Sequence, residues 1–274
     1  MITALSDIID FSACPVSNPL FARQCAARLA SDGILTLPGF LQSDAVDMLV
    51  AEAEAQKHNA YFTASSHNVF LSEPRPGLDA SHVFNRQIIS SKGCITTDQV
   101  PEQSRLKIIY DAPEFRKFIA TIVGEPALYE YADPLSSINV HYADEGQELG
   151  WHFDNSSFAV TMLLQAPEAG GKFEYVSEVR DAETGEMGFD QVDQILSGRF
   201  PVQKLLFDPG DLVLFRGRNS IHRVTPTEGK ITRMLVVFAF NDQPGIGLSE
   251  SALKTFYGRT GGNFSYCPPP PSPA

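Results

Sequence analysis

Two residues of the stretch "LGWHFDNSSF", His152 and Asp154, are the first candidates for chemistry. The flanks "SSINVHY" and "FAVTMLLQA" read as strands, and a strand sends residues i and i+2 to one face. On that geometry His152 and Asp154 project together, with Cα atoms about 6.6 Å apart. Phe153 points the other way, into packing. A neutral imidazole and a carboxylate on one face can share a divalent metal. A third ligand is available in "FRGRNSIHRVTP", where His222 follows a strand that starts after the Pro209-Gly210-Asp211 turn. Two histidines and one carboxylate leave open positions on the metal, the arrangement of non-heme Fe(II) oxygenases. Arg233 opens the apolar strand "RMLVVFAF" eleven residues further on. A cation there suits the distal carboxylate of a diacid co-substrate, held as a charge-assisted pair. Alternation puts Arg233, Leu235, Val237 and Ala239 on one face and Met234, Val236, Phe238 and Phe240 on the other.

These residues must be positioned by a fold, and the composition bounds which. The chain has 274 residues, 43% of them hydrophobic, and a formal charge of −12. That permits a sizeable core and disfavours a phosphate-backbone partner, so no nucleic acid is expected. The four scattered cysteines, Cys14, Cys25, Cys94 and Cys267, form no C-x-x-C pair. Their scarcity suits a reducing compartment. The N-terminus lacks a basic segment ahead of a long apolar run, and no apolar stretch reaches the ~18 residues of a membrane helix. A cytoplasmic protein with no membrane partner is therefore expected.

Helical periodicity marks Asn18 to Gly33, with Phe21, Cys25, Ala26 and Leu29 on one side. It also marks Ser43 to His58, capped by Ser43 or Asp44, with Val46, Leu49, Val50 and Ala53 inward. A third helical stretch runs from near Pro101 to Gly124, with a break at Pro113. Between Asn59 and Val100 the signal is mixed, with "HVFNRQII" a candidate strand. After Gly124 the character turns to strands: "ALYEYA", "SSINVHY", "GWHFD", "AVTMLLQA", "GKFEYVSEV", "QKLLF", "DLVLFRG" and "TRMLVVFAFN". A short helix is expected around Gln191 to Ser197. Such strands with tight turns imply a closed or sandwiched β-structure, with the leading helices on one face. The organisation read is one domain over 1–264: helical support to about 124, a β core at about 125–242 and a cover at 243–264. A Pro-rich tail follows at 265–274.

"HFD", "IHRVTP" and the Arg eleven residues later resemble the 2-oxoglutarate/Fe(II) dioxygenase superfamily. "GWHFDNSSFAVTMLLQAPEAGGKFEYV", "PGDLVLFRGRNSIHRVTPTEGKITRMLVVFAF" and "FYGR" are more closely similar to a bacterial and fungal group of free-amino-acid hydroxylases and halogenases. The similarity covers roughly Asn139 to Arg259, and more loosely "DGILTLPGFL". It implies a mainly β, α+β fold: a double-stranded β-helix (jelly-roll) core with N-terminal supporting helices. It further implies that His152, Asp154 and His222 hold Fe(II) and that Arg233 binds the C5 carboxylate of 2-oxoglutarate. Dioxygen is consumed, and succinate and carbon dioxide are released. Halogenases of the group carry Gly where this chain has Asp154, which opens a site for chloride. The retained carboxylate predicts hydroxylation, or another oxidation begun by hydrogen abstraction.

The expected substrate is a small molecule, a free amino acid or a natural-product intermediate. Arg86 is the candidate for its carboxylate. Asp133, Asn155 and Tyr257 are candidates for further substrate contacts, and Asn139 for a contact to the co-substrate. Surface or turn roles stand beside each of these readings. A lone H-x-D is a weak signal, and only His222 and Arg233 give it weight. Asp208 and Asp211 read as turn residues, and Trp151 as packing. His141 is a wall residue of the site or a structural one; His58, His67 and His82 have no partner in recognisable spacing. A peptide side chain as substrate, and a jelly-roll metal protein without oxygenase activity, are the alternatives.

Overall fold

The computed structural model describes residues 4–261, so the Pro-rich tail lies outside the described residues. Among the described residues six α-helices form: α1 Pro19–Asp32, α2 Ser43–Gln56, α3 Arg105–Asp111, α4 Pro113–Val123, α5 Phe189–Leu196 and α6 Glu250–Tyr257. The strands are β1 Ile34–Leu37, β2 Tyr61–His67, β3 Ile88–Ile95, β4 Ile138–Ala143, β5 Leu149–His152, β6 Ala159–Gln165, β7 Ala169–Gly170, β8 Phe173–Val176, β9 Gln203–Leu205, β10 Leu212–Phe215, β11 Ile221–Val224, β12 Thr227–Glu228 and β13 Arg233–Phe238.

Local chemistry explains the helix ends. The Asn18 side chain accepts from the Leu20 and Phe21 amides, satisfying donors that have no intrahelical partner. Gly33 closes α1 at φ 70°, a conformation that side chains disfavour. Pro113 lacks an amide hydrogen and restricts Ala112 to extended geometry, which splits α3 from α4 as its position predicts. The third helical stretch begins later than expected, at Arg105, because Ser104 is the residue that caps it. In α2 neither Ser43 nor Asp44 caps; Gln42 holds the N-cap position without a side-chain bond. Ala45, Leu49 and Ala53 form the buried stripe of α2, with Val46 and Val50 at its margin.

A seven-stranded sheet has the order β1-β10-β6-β13-β4-β3-β2, and a four-stranded sheet the order β5-β11-β8-β9. In chain order β4, β5, β6, β8, β9, β10, β11 and β13 pass between the two sheets, which is the double-stranded β-helix expected. The central strand β13 pairs antiparallel with both β4 and β6. Its Met234, Val236 and Phe238 align with Tyr142, Val140 and Ile138 of β4, and all six are buried against the helices. Phe115 and Phe118 of α4 sit in this layer, where Phe115 packs on Phe238. Each such side chain contributes roughly 1.5–3 kcal/mol by burial. The outer face of the large sheet therefore carries the stability, and its inner face is free to be polar.

Two candidate strands differ in the structure. Residues 82–85 of "HVFNRQII" are turns and pairing starts at Ile88, because Asn85 turns the chain through hydrogen bonds to the Arg75 and Leu78 carbonyls. "ALYEYA" forms only an isolated bridge between Tyr129 and Asn241. In the mixed region, β2 pairs with β3 over its whole length as an edge strand. Among the described residues no helix is long and apolar enough to cross a membrane.

Candidate metal centre

His152 on β5 and His222 on β11 are directly paired across the small sheet, so their side chains leave the same face. Their ring centroids are 4.1 Å apart. Asp154 lies just past the end of β5, where its amide donates to the Gly217 carbonyl at 3.0 Å. One Asp154 carboxylate oxygen, Oδ1, is 3.6 Å from His152 Nε2 and 3.5 Å from His222 Nε2. One ligand atom from each of the three residues lies within 4.8 Å of the others. Phe153 points away, as alternation requires: it is fully buried and stacks on Phe70 with centroids 5.5 Å apart.

The proton inventory shows what the cluster lacks. His152 Nδ1 donates to the Gly150 carbonyl at 2.8 Å, and His222 Nδ1 to the Ser220 carbonyl at 3.0 Å. A carbonyl only accepts, so each Nδ1 carries the hydrogen, and in its neutral form each ring presents its lone pair at Nε2, the form that a metal ligand needs. Burial lowers the His152 pKa first, His222 lowers it further, and Asp154 opposes both, with the net shift downward. Burial pushes the Asp154 pKa upward, yet the charge and hydrogen bonds of the two imidazoles in their protonated form outweigh it and hold the carboxyl well below its usual range. Asp154 Oδ2 is buried without a hydrogen-bond partner. With both rings neutral, two lone pairs and a carboxylate converge with no donor between them, an arrangement that a cation, a divalent metal or a proton on each ring, must satisfy. Ligand atoms each about 2.1 Å from one ion stand about 3.0–3.5 Å apart, close to the separations found. The donor set fits a divalent metal.

The surroundings support this geometry. Phe215 meets the His222 ring edge-on with centroids 4.8 Å apart, and Phe173 lies against the same ring at 5.5 Å and edge-on to Phe215 at 5.1 Å. A Cβ on Gly217 would collide with Asp154 Oδ2 and come within 2.6 Å of Asp154 Cγ and 2.9 Å of His222 Cε1. Glycine there leaves space for the carboxylate. Arg180 lies over the Phe153 ring at 4.3 Å and donates to the Arg218 carbonyl at 2.7 Å and the Asp154 carbonyl at 3.3 Å. It ties the loop before α5 to the Asp154 backbone. No motif marks Gly217 or Arg180 in the sequence.

Arg233 starts the inner row of β13. Arg233, Leu235 and Val237 align with Ala143, His141 and Asn139 of β4, all on the face opposite the helices. The Arg233 side chain is buried and makes no hydrogen bond or ion pair among the described residues. Burial alone lowers its pKa to about 10. A buried guanidinium without an anion is an incomplete site.

Other candidates take different positions. Arg86 pairs with Asp193 at 2.6 Å in an open groove of about 690 Å³ lined also by His82, Phe189 and Arg199. None of the three metal-site residues lines that groove, and Arg86 shares the Asp193 carboxylate with Arg199. Asp133 is buried and accepts from the Leu135, Ser136 and Leu248 amides, so it fastens loops. Tyr257 donates to Asn139 Oδ1 at 3.0 Å, and the Asn139 amide donates to the Leu135 and Ile138 carbonyls. That pair docks α6 on β4. Asn155 is exposed beside the metal cluster. Asp211 accepts from the Gly39 and Asp208 amides, the turn role expected of it.

A family model described as Halogenase D matches residues 78–250, well over half of the chain. No curated protein matches it. Among solved structures, the epimerase SnoN in complex with Fe3+, alpha ketoglutarate and nogalamycin RO superposes with a TM-score of 0.56 at 14% identity, over 85% of this chain and 93% of SnoN. HygX from Streptomyces hygroscopicus, with nickel, 2-oxoglutarate and hygromycin B bound, gives 0.53 at 14% identity over 82% and 88%. An oxidoreductase of the 2OG-Fe(II) oxygenase family from Burkholderia pseudomallei gives 0.51 at 13% identity over 82% and 92%. Identities this low speak for the fold. The chain belongs to the Halogenase D family and has the jelly-roll fold of the 2-oxoglutarate/Fe(II) oxygenases.

Proposed function

We propose that the protein is an Fe(II)- and 2-oxoglutarate-dependent dioxygenase that hydroxylates a free amino acid or a small natural-product intermediate. The observation that carries this reading is the His152–Asp154–His222 cluster, whose ligand atoms lie within 4.8 Å of one another and whose Asp154 Oδ2 has no hydrogen-bond partner. His152, Asp154 and His222 hold the metal, and Arg233 receives the distal carboxylate of 2-oxoglutarate. Iron bound there supplies dioxygen activation coupled to decarboxylation of 2-oxoglutarate, with succinate and carbon dioxide as co-products.

The chain's own residues orient and exclude water. The Gly150 and Ser220 carbonyls fix both imidazole tautomers. Phe173 and Phe215 wall off the His222 side from solvent. Asp154 supports hydroxylation over halogenation, because its carboxylate fills the position that a chloride would need. HygX and SnoN are recorded with small natural products, which favours a small substrate over a peptide.

The test is succinate release under Fe(II), 2-oxoglutarate and dioxygen against a panel of free amino acids. Stimulation by one of them together with a hydroxylated product supports the proposal. A panel that stimulates nothing removes the amino-acid assignment, and a chlorinated product from the wild-type protein removes the reading of Asp154.

A further inference from the structure

The inner wall holds a second cation that this mechanism does not use. Lys92 is on β3, next to β4 in the large sheet. The register pairs Gly93 with Tyr142 and Cys94 with His141. Continued by one step, it sets Lys92 across from Ala143, which pairs in turn with Arg233. Lys92 and Arg233 thus share one cross-strand row with the small Ala143 between them, about 10 Å apart by two strand spacings. Strand β3 also reaches the small sheet, where Ser90 Oγ accepts from the Gly150 amide and the Ser91 amide donates to the Glu148 carbonyl. Lys92 therefore lies on the inner wall between Arg233 and the strand bearing His152.

Its ammonium is poorly satisfied. Lys92 Nζ is 3.2 Å from Nδ1 and 3.1 Å from Nε2 of His141. A neutral imidazole offers one lone pair, so at most one of three N–H groups is accepted. No carboxylate pairs with Lys92 among the described residues. Both residues are half-buried, on the face of the large sheet opposite the helices. Burial lowers the Lys92 pKa, and Cys94 and Asp154 counteract it. Burial, Lys92 and Arg233 together drive the His141 pKa well down, so the ring is neutral.

Charge balance points the same way and rests on the oxygenase reading above. A divalent metal, Arg233 and Lys92 bring four positive charges. Asp154 and dianionic 2-oxoglutarate bring three negative ones. One positive charge is left over in a desolvated space, beside Lys92.

We infer that Lys92, with His141 beside it, is the subsite for an acidic group of the substrate, so the molecule oxidised carries a carboxylate. This gives the role expected of Arg86 to a residue on the inner wall.

The test uses protein loaded with Mn(II) and saturating 2-oxoglutarate, titrated by calorimetry with free amino acids and small monocarboxylic acids. Each acid is run beside its uncharged primary amide. At least one acid is expected to bind about 100-fold more tightly than its amide, the scale for removing one partner of a buried charge pair. Lys92→Met should erase that preference and Lys92→Arg should keep most of it, while both variants take up 2-oxoglutarate like wild type. Equal binding of acid and amide, a preference that survives in Lys92→Met, a loss of 2-oxoglutarate in that variant, or no acid binding at all would overturn the assignment. Failure of wild type to take up Mn(II) and 2-oxoglutarate would remove the oxygenase reading and this inference together; normal uptake without acid preference removes the inference alone.

Discussion

Gly217→Ala probes the metal centre without altering a ligand. Gly217 is outside the left-handed region, so alanine adds no backbone strain. The added methyl would overlap Asp154 Oδ2 and stand 2.6 Å from Asp154 Cγ and 2.9 Å from His222 Cε1. Carbon atoms pack at about 3.5–4.0 Å, so the carboxylate must withdraw by about 1 Å. Metal–ligand distances tolerate only about 0.2 Å, and Asp154 would no longer reach the ion. Loss of an outer supporting contact alone typically costs 10–100-fold in metal affinity. Displacing a ligand should cost at least the upper end of that range. The assay is anaerobic competition for Fe(II) or Mn(II) against a chromophoric chelator, with the thermal midpoint as a control for folding. Wild-type affinity in folded Gly217→Ala would refute the placement of the metal between Asp154 and the two histidines.

Three further perturbations follow from the same geometry. Asp154→Gly should remove hydroxylation while leaving the fold intact, and wild-type hydroxylation rates in that variant would contradict the ligand role of Asp154. Arg233→Met should raise the 2-oxoglutarate Kd at least 100-fold. It should also stabilise the metal-free protein by up to about 3 kcal/mol, since burial lowers the Arg233 pKa from 12.5 to about 10; chemical denaturation reads that change. His141 and His152 are lowered below 6.5 in the folded protein mainly by burial, so between the folded and unfolded values the unfolded chain binds more protons. The metal-free protein should therefore lose stability as pH falls below about 6.5, and a flat denaturation midpoint from about pH 7 to about pH 5 would count against two buried neutral rings.

The parts of the site visible in the sequence were those fixed by local rules. Strand alternation gives the shared direction of His152 and Asp154, although Asp154 lies beyond the strand and is held by the Gly217 carbonyl. The two faces of β13 follow from alternation as well. What could not be read depends on distant partners. Arg86 pairs with Asp193, 107 residues away, and Tyr257 meets Asn139 across 118 residues. Lys92 is an ordinary lysine in sequence, and only the β3–β4 pairing turns it inward. Strand β2 went unrecognised because "TASSH" shows no apolar alternation; its faces are largely exposed, and its pairing with β3 comes from backbone hydrogen bonds. "ALYEYA" has strand composition but finds only one bridging partner.

The central claim is that His152, Asp154 and His222 hold a metal to which 2-oxoglutarate binds under the control of Arg233. Anaerobic titration of the protein with Fe(II) and then 2-oxoglutarate, followed by the visible metal-to-ligand charge-transfer band, tests it most directly. The account predicts one metal per chain, a band that saturates with 2-oxoglutarate, loss of the metal in His222→Ala, and a much weakened 2-oxoglutarate response in Arg233→Ala. A protein that binds no Fe(II), or one whose band is unchanged by both substitutions, would contradict it.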